Sequence, residues 1–248
     1  MGRKYNNPPV IEAVCEFRLP PEIKWDLTVP GFIYEKVKDE FPHKEQRLFQ
    51  EVELKQSPQG VEQLVHSRER ALFLTNDRRI FIQVGFRLLA INCLKPYPTW
   101  DKFKSYIEAA FKSLLDTIEI LNLQRIGLRY INRIEIINPG HSFKLADYFD
   151  FRPFLGTKLP KDISGFAIRC VLPFPKTQAE CNLQLTTAVP EKPSNCAFIL
   201  DLDYYLSQVQ IIASNDALAW IEEAHTNLEE IFEGCITDHL RQTYEEIQ

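Results

Sequence analysis

The sequence predicts an α+β fold: a wide, twisted antiparallel sheet with two long helices packed on one face. Three observations predict it. Several runs alternate apolar and polar residues with period two, the mark of strands with one buried face. Two stretches, at 99–121 and from 216, carry apolar residues at helical spacing, the mark of amphipathic helices. The order of these elements recurs twice along the chain, which reads as a single domain over 1–248 built from halves 1–122 and 123–248.

The first element is VIEAVCEFRL at 10–19. Ile11, Ala13, Cys15 and Phe17 form one face, Glu12 and Glu16 lie on the other, and Pro20-Pro21 ends the strand. A short helix follows over 31–41, with Phe32, Val37 and Phe41 on one face. Four strands are predicted at 47–56, 61–75, 78–84 and 86–94. Asn76-Asp77 marks a tight turn, since both residues tolerate left-handed backbone. Gly85 marks a bulge or sharp bend. The clearest helix opens at Thr99, a good N-cap, with a stripe from Phe103 and Ile107 to Leu114 and Ile118.

The second half repeats the scheme. RIGLRYINRIEII at 125–137 reads as a strand, followed by strands at 164–172, 179–187 and 196–205. The closing helix starts near Asp216 with Leu218, Ile221, Leu228 and Phe232 on one side; Gly234 ends it and Thr237 caps a last short helix. Two copies of strand, excursion, meander and long helix form a pseudo-repeat of about 120 residues, carried by pattern and not by sequence identity.

Composition bounds the function. Net charge is −5, with 29 basic and 34 acidic residues, so unaided polyanion binding is not the default. Residues 216–248 hold nine acids against Arg241 alone, a local balance of −8, which leaves the other 215 residues at +3. That acidic segment reads as a solvated helix face or as the match for a basic partner. The N-terminus lacks the apolar run of a signal peptide, Asn6 breaks a myristoylation pattern, and no apolar stretch approaches a membrane span. Six scattered cysteines form no C-x-x-C pair, and Cys15, Cys93, Cys170 and Cys181 fall in apolar runs, where thiols act as small hydrophobes. A reducing cytoplasm is expected.

Five stretches carry a resemblance: NPPVIEAVCEFR at 7–18, YPTWDKFKSYIEAAF at 97–111, RIGLRYINRI at 125–134, LDLDYY at 200–205 and AHTNLEEIFEGCITDHL at 224–240. Together they resemble, end to end, a family of bacterial and archaeal proteins of about this length described as "sporadically distributed". The resemblance implies no catalytic residue and no cofactor. Patchy occurrence among genomes implies genes that travel with mobile elements, defence loci or toxin–antitoxin loci.

Candidate chemistry starts with the polar sheet face. Alternation places Glu12 and Glu16 together, Arg129, Arg133 and Glu135 together, and Asp201 and Asp203 together, with Arg169 available nearby. If the first strand of each half meets at the sheet centre, Glu12/Glu16 oppose Arg129/Arg133. That set is either a charged platform for a ligand or a cross-strand ladder fixing register. Asp201-x-Asp203 could form half a divalent-metal site if Glu12, Glu16 or Glu180 joined it, or simply pair with arginines. No metal site is expected.

Histidines 43, 66, 141, 225 and 239 show no metal spacing, and His225 reads as a core histidine. With nine glycines there is no P-loop, no dinucleotide turn and no nucleophile elbow, so an enzyme reading draws little support and no cofactor is expected. Arg68, Arg70, Arg78, Arg79 and Arg87 interleave with Phe73, Phe81 and Phe86, as in surfaces that grip phosphates and stack bases, or as ordinary core aromatics. The segment 139–163 carries Phe149, Phe151 and Phe154, a partner-binding loop unless a short helix at 145–149 tucks the rings away. The expected function is a non-enzymatic interaction module that binds another protein or itself. The rivals are a nucleic-acid binder using Arg68–Arg87 and a metal-dependent hydrolase at Asp201/Asp203. No membrane role is expected.

Overall fold

The computed structural model describes residues 3–57, 60–137, 143–160, 163–206 and 212–245, and the side chains of 49–57 and 60–68 lie outside the description. The side chains of His66 and Arg68, and the whole of His141, therefore fall outside it.

The fold is α+β. In chain order it contains β1 (Val10–Arg18), α1 (Val29–Val37), β2 (His43–Ser57), β3 (Gly60–Leu74), β4 (Ile80–Gly85) and β5 (Leu88–Leu94). Then come α2 (Trp100–Leu115), β6 (Asn122–Leu123), β7 (Arg125–Ile136), β8 (Ala167–Phe174), β9 (Ala179–Ala188), β10 (Cys196–Leu206), β11 (Ile212–Ala213), α3 (Ala217–Cys235) and α4 (Asp238–Arg241). Nine strands form one sheet in the order β2-β3-β4-β5-β1-β7-β10-β9-β8, and every neighbouring pair is antiparallel. The short β6 and β11 pair with each other.

The chain starts at the middle of this sheet. β1 is its fifth strand and joins the two halves through β7. Ala13, Cys15 and Phe17 are fully buried, as period-two alternation requires. Opposite them in register on β7 lie Tyr130, Leu128 and Ile126, also buried. Phe17 stacks on Phe111 of α2 at 4.4 Å between ring centroids, and Tyr204 of β10 meets Trp220 of α3 at 5.6 Å. Such ring contacts add about 0.5–1.5 kcal/mol each beyond area burial. α2 lies against β5, and α3 against β7 and β10. Thr99 caps α2 by accepting the Lys102 N–H at 3.3 Å, and Thr237 caps α4 by accepting the Leu240 N–H.

Several local expectations need correction. Of the two readings of Gly85 the sharp bend holds: it ends β4 and opens a tight hairpin, paired with Leu88 across Phe86-Arg87. α2 stops at Leu115, well before Leu121, which is 72 % exposed. In α1 the buried face is Val29, Ile33 and Val37, while Phe32 is exposed. Cys170 is also exposed, because β8 is the sheet's last strand and nothing pairs with its outer side among the described residues. Cys93, Cys181 and Cys235 are buried, and burial pushes each thiol up to about 12.

Among the described residues no helix is long and apolar enough to cross a membrane.

Candidate functional site

β1 and β7 lie side by side, with Glu16 opposite Gly127 and Val14 opposite Arg129. Their polar residues do not pair as the sequence suggested. Glu16 accepts from Arg18 Nε at 2.7 Å and from Arg125 Nη1. Burial pushes the Glu16 carboxyl up, but the Arg18 hydrogen bond and the charges of Arg18, Arg125 and Arg70 outweigh it and hold its pKa below the usual value. Arg129 turns away from β1 and grips Asp201 of β10 in a fork, at 2.8 and 2.5 Å. Arg133 bonds Glu135 on its own strand at 3.2 Å and the Val189 carbonyl at 2.7 Å. Glu135 also accepts from Asn195 and the Glu191 N–H, so this corner anchors the β9–β10 connection.

The reason lies in register. The residue directly across β10 from Arg129 is Asp203, yet the long guanidinium reaches the diagonal neighbour Asp201, a distance such side chains span readily. Asp203 is left with Arg125 at 4.0 Å. Burial raises its pKa, and Arg125 and Arg129 only partly counter this. Arg169 on β8 donates to Asn182 at 2.5 Å, and Tyr205 donates to Glu180 at 3.1 Å while Arg125 covers its ring. The face thus carries paired but solvent-reaching charge over β1, β7, β10, β9 and β8. The Arg129 and Asp201 side chains are 44 % and 19 % exposed.

Glu12 takes part in something the sequence reading missed. Asn92 donates to Glu12 at 2.7 Å, Gln83 donates to Asn92 at 2.6 Å, and Arg70 donates to Gln83 at 3.2 Å. This polar chain crosses β3, β4, β5 and β1. Asn92 and Gln83 are nearly inaccessible. The available signal was a lone amide inside the apolar run LLAINCL, since a buried polar group needs a partner. A second missed cluster surrounds His225, whose Nδ1 meets the Tyr130 hydroxyl at 3.0 Å and whose Nε2 meets Glu229 at 3.2 Å. Trp100 stacks on its ring at 4.0 Å. His225 is a satisfied core histidine, as expected.

Asp201 and Asp203 share a face, but Asp201 is consumed by Arg129. Among the described residues no group of three or more His, Cys, Asp or Glu gathers where a metal could be held.

The arginines do not form one patch. Arg78 lies in the β3–β4 turn and pairs with Glu45 at 2.6 Å. Arg79 is exposed in that same turn. Arg87 lies in the β4–β5 turn, at the other end of a six-residue strand, or about 20 Å away. Arg70 points along the polar chain to Gln83.

The aromatic loop is corrected in part. A 3-10 turn at Leu145–Asp147 precedes Phe149, which is fully buried and bridges to Ile236. Phe151 is half-buried against the core, and only Phe154 stands out, at 92 % exposed. The acidic C-terminal helix is partly neutralised within the fold. Glu222 bonds Lys104 and Trp100, and Glu233 bonds Arg241 and Tyr5.

No family model, no curated protein and no solved structure matches this chain.

Proposed function

We propose that this protein is a non-enzymatic interaction module that binds another protein across the polar face of its sheet. One observation carries the reading: five adjacent strands present charged and amide side chains that reach solvent, ending on β8 with Arg169 and the 47 %-exposed Val171. A broad, mixed-charge surface with scattered apolar groups suits a complementary protein surface, where charge sets encounter rate and register. Phe154 adds an exposed ring on the connection into β8. The reading includes kinship with the sporadically distributed family. It also includes a pseudo-repeat in which both long helices cover one face and leave the other open. In support, each half places its first strand at the sheet centre and the last strand of its meander next to it. The nucleic-acid reading loses ground because its arginines are dispersed, and the hydrolase reading because Asp201 is held by Arg129.

The test is affinity capture from the native host at mild salt. Wild type is compared with Arg169→Glu and Phe154→Ala, two exposed positions where substitution leaves the core intact. A stoichiometric protein partner, retained about tenfold less by the variants, is the expected result. A partner held equally by all three proteins refutes the face. Nucleic acid that elutes at high salt would restore the arginine reading.

A further inference from the structure

We infer that a cleft at the end of β1, beside the β4–β5 turn, binds the phosphoryl group of a nucleoside phosphate. The cavity measures about 180 Å³ and is lined by Arg18, Arg70, Arg87, Gln124 and the turn 85–88. Three arginines and no acidic residue are among its lining residues, in a chain whose net charge is −5; Arg18 also bonds Glu16 and Arg70 also bonds Gln83. Guanidinium forks match phosphate oxygens in pairs.

The frame around these arginines is fixed by the main chain. Leu19 N–H donates to the Arg87 carbonyl at 3.0 Å, and Gln124 N–H donates to the Arg18 carbonyl at 2.9 Å. Arg87 Nε bonds the Ile23 carbonyl at 3.1 Å, and its guanidinium lies 4.8 Å from the Phe86 ring centre. Arg70 runs past Gly85 so closely that a Cβ there would meet its Cγ at 3.2 Å. Glycine at 85 is thus what lets the Arg70 stem pass.

Arg87 has φ of 56°, a left-handed conformation that a long, non-glycine side chain adopts at a cost. Glycine or asparagine would suit that turn position better. The same region is occupied by Arg78 at 59° and Gln178 at 52° in two other strand-connecting turns. The strained residue is one of the three that bring positive charge to the cavity.

The same cleft adjoins a larger one of about 620 Å³ whose lining includes Trp25 and Phe86 together with Asp26, Glu45 and Glu69, with Arg70, Gly85 and Phe86 common to both. Phe86 is 55 % exposed. Aromatic faces stack bases whatever their sequence, so the pair of cavities fits a phosphate with a base attached. A small molecule is favoured over a polymer because Arg78 and Arg79, which would extend a positive track, lie at the opposite end of β4. Glu16 borders the site, and Arg125 as well as Arg18 bonds it, so Arg18 can turn to a ligand while Glu16 stays paired.

The experiment is titration calorimetry with the four ribonucleoside 5′-monophosphates, inorganic phosphate and adenosine. It uses the full chain and the variants Arg87→Asn and Arg18→Gln, with thermal melts of all three proteins. At least one monophosphate is expected to bind saturably and more tightly than inorganic phosphate, and adenosine not to bind. Each variant is expected to weaken binding about tenfold or more, the size of one lost charge-assisted hydrogen bond. Arg87→Asn is expected to melt no lower than wild type, because asparagine tolerates the left-handed turn. Adenosine binding as tightly as its monophosphate would overturn the inference, as would phosphate matching every monophosphate. Unchanged affinity in Arg18→Gln, or no saturable heat with any monophosphate, would overturn it too. The outcome is independent of the protein-binding reading, whose capture assay needs no nucleotide.

Discussion

The polar chain Arg70–Gln83–Asn92–Glu12 gives a sharp stability prediction, centred on Asn92→Leu. Leucine has about the same size and keeps the strand's backbone bonds, so the change removes only the amide. Asn92 is 4 % exposed and Gln83 6 %, so neither can turn to bulk water. With leucine at 92, the Gln83 Nε2 loses the oxygen it meets at 2.6 Å, and Glu12 loses the donor at 2.7 Å. A buried donor left without a partner costs about 1–3 kcal/mol, and a lost hydrogen bond to a charged group about 1.5–3 kcal/mol. Glu12 is only half-buried and recovers part of its loss from water. The expected destabilisation is about 2–4 kcal/mol, read by urea unfolding with circular dichroism as a lower midpoint at unchanged slope.

Gln83 and Asn92 must also be energetically coupled. If the cost comes from stranding Gln83, then Gln83→Leu should cost less on the Asn92→Leu background than alone. The coupling should reach about 1 kcal/mol, within the range for residues in contact. A loss below about 0.5 kcal/mol for Asn92→Leu, or strict additivity in the cycle, would refute the chain as a cooperative unit.

Two further outcomes follow from packing and charge. Phe111→Ala empties the space against Phe17 at a site 2 % exposed, and should cost about 3–5 kcal/mol by the same urea assay; a loss under 1 kcal/mol would contradict the packing. Asp203 has its pKa raised by burial, so the folded state binds its proton more tightly than the unfolded chain and wild type loses stability as pH rises through that window. Asp203→Asn should therefore gain stability relative to wild type at pH 7, and the gain should shrink as pH falls toward about 3.9, the unfolded carboxyl value; a difference that stays constant from pH 7 to pH 3 would show that burial does not set this titration.

Much of the sheet was legible because period two is a strictly local signal. Ala13, Cys15 and Phe17 turn inward, as do Leu128, Tyr130, Asn132 and Ile134, and no long-range information is needed to say so. The aromatic connection had no such period. Phe149, Phe151 and Phe154 look alike in composition, yet one is buried, one half-buried and one exposed. What separates them is distant, since Phe149 bridges to Ile236. The arginines near 70–87 looked clustered because they are close in sequence. A strand between two turns sends its ends apart, so nearness along the chain became distance in space.

The charged residues show where a sequence stops being informative about partners. Alternation assigns each one to a face, but a pairing also needs register, and one step of register exchanges every partner. Glu16 faces Gly127, a residue with no side chain to answer it, so it takes Arg18 from its own strand and Arg125 from two places along β7. Arg129 is thereby free of β1 and closes on Asp201, which leaves Asp203 underpaired. The same competition decides chemistry. Two aspartates on one strand face could begin a metal site, but a guanidinium within reach of one of them, forked at 2.8 and 2.5 Å, takes up the lone pairs a cation would use. Whether such a motif is a ligand or an ion pair is settled on the neighbouring strand, where Arg125, Gly127 and Arg129 of β7 decide the fate of Asp201 and Asp203 on β10.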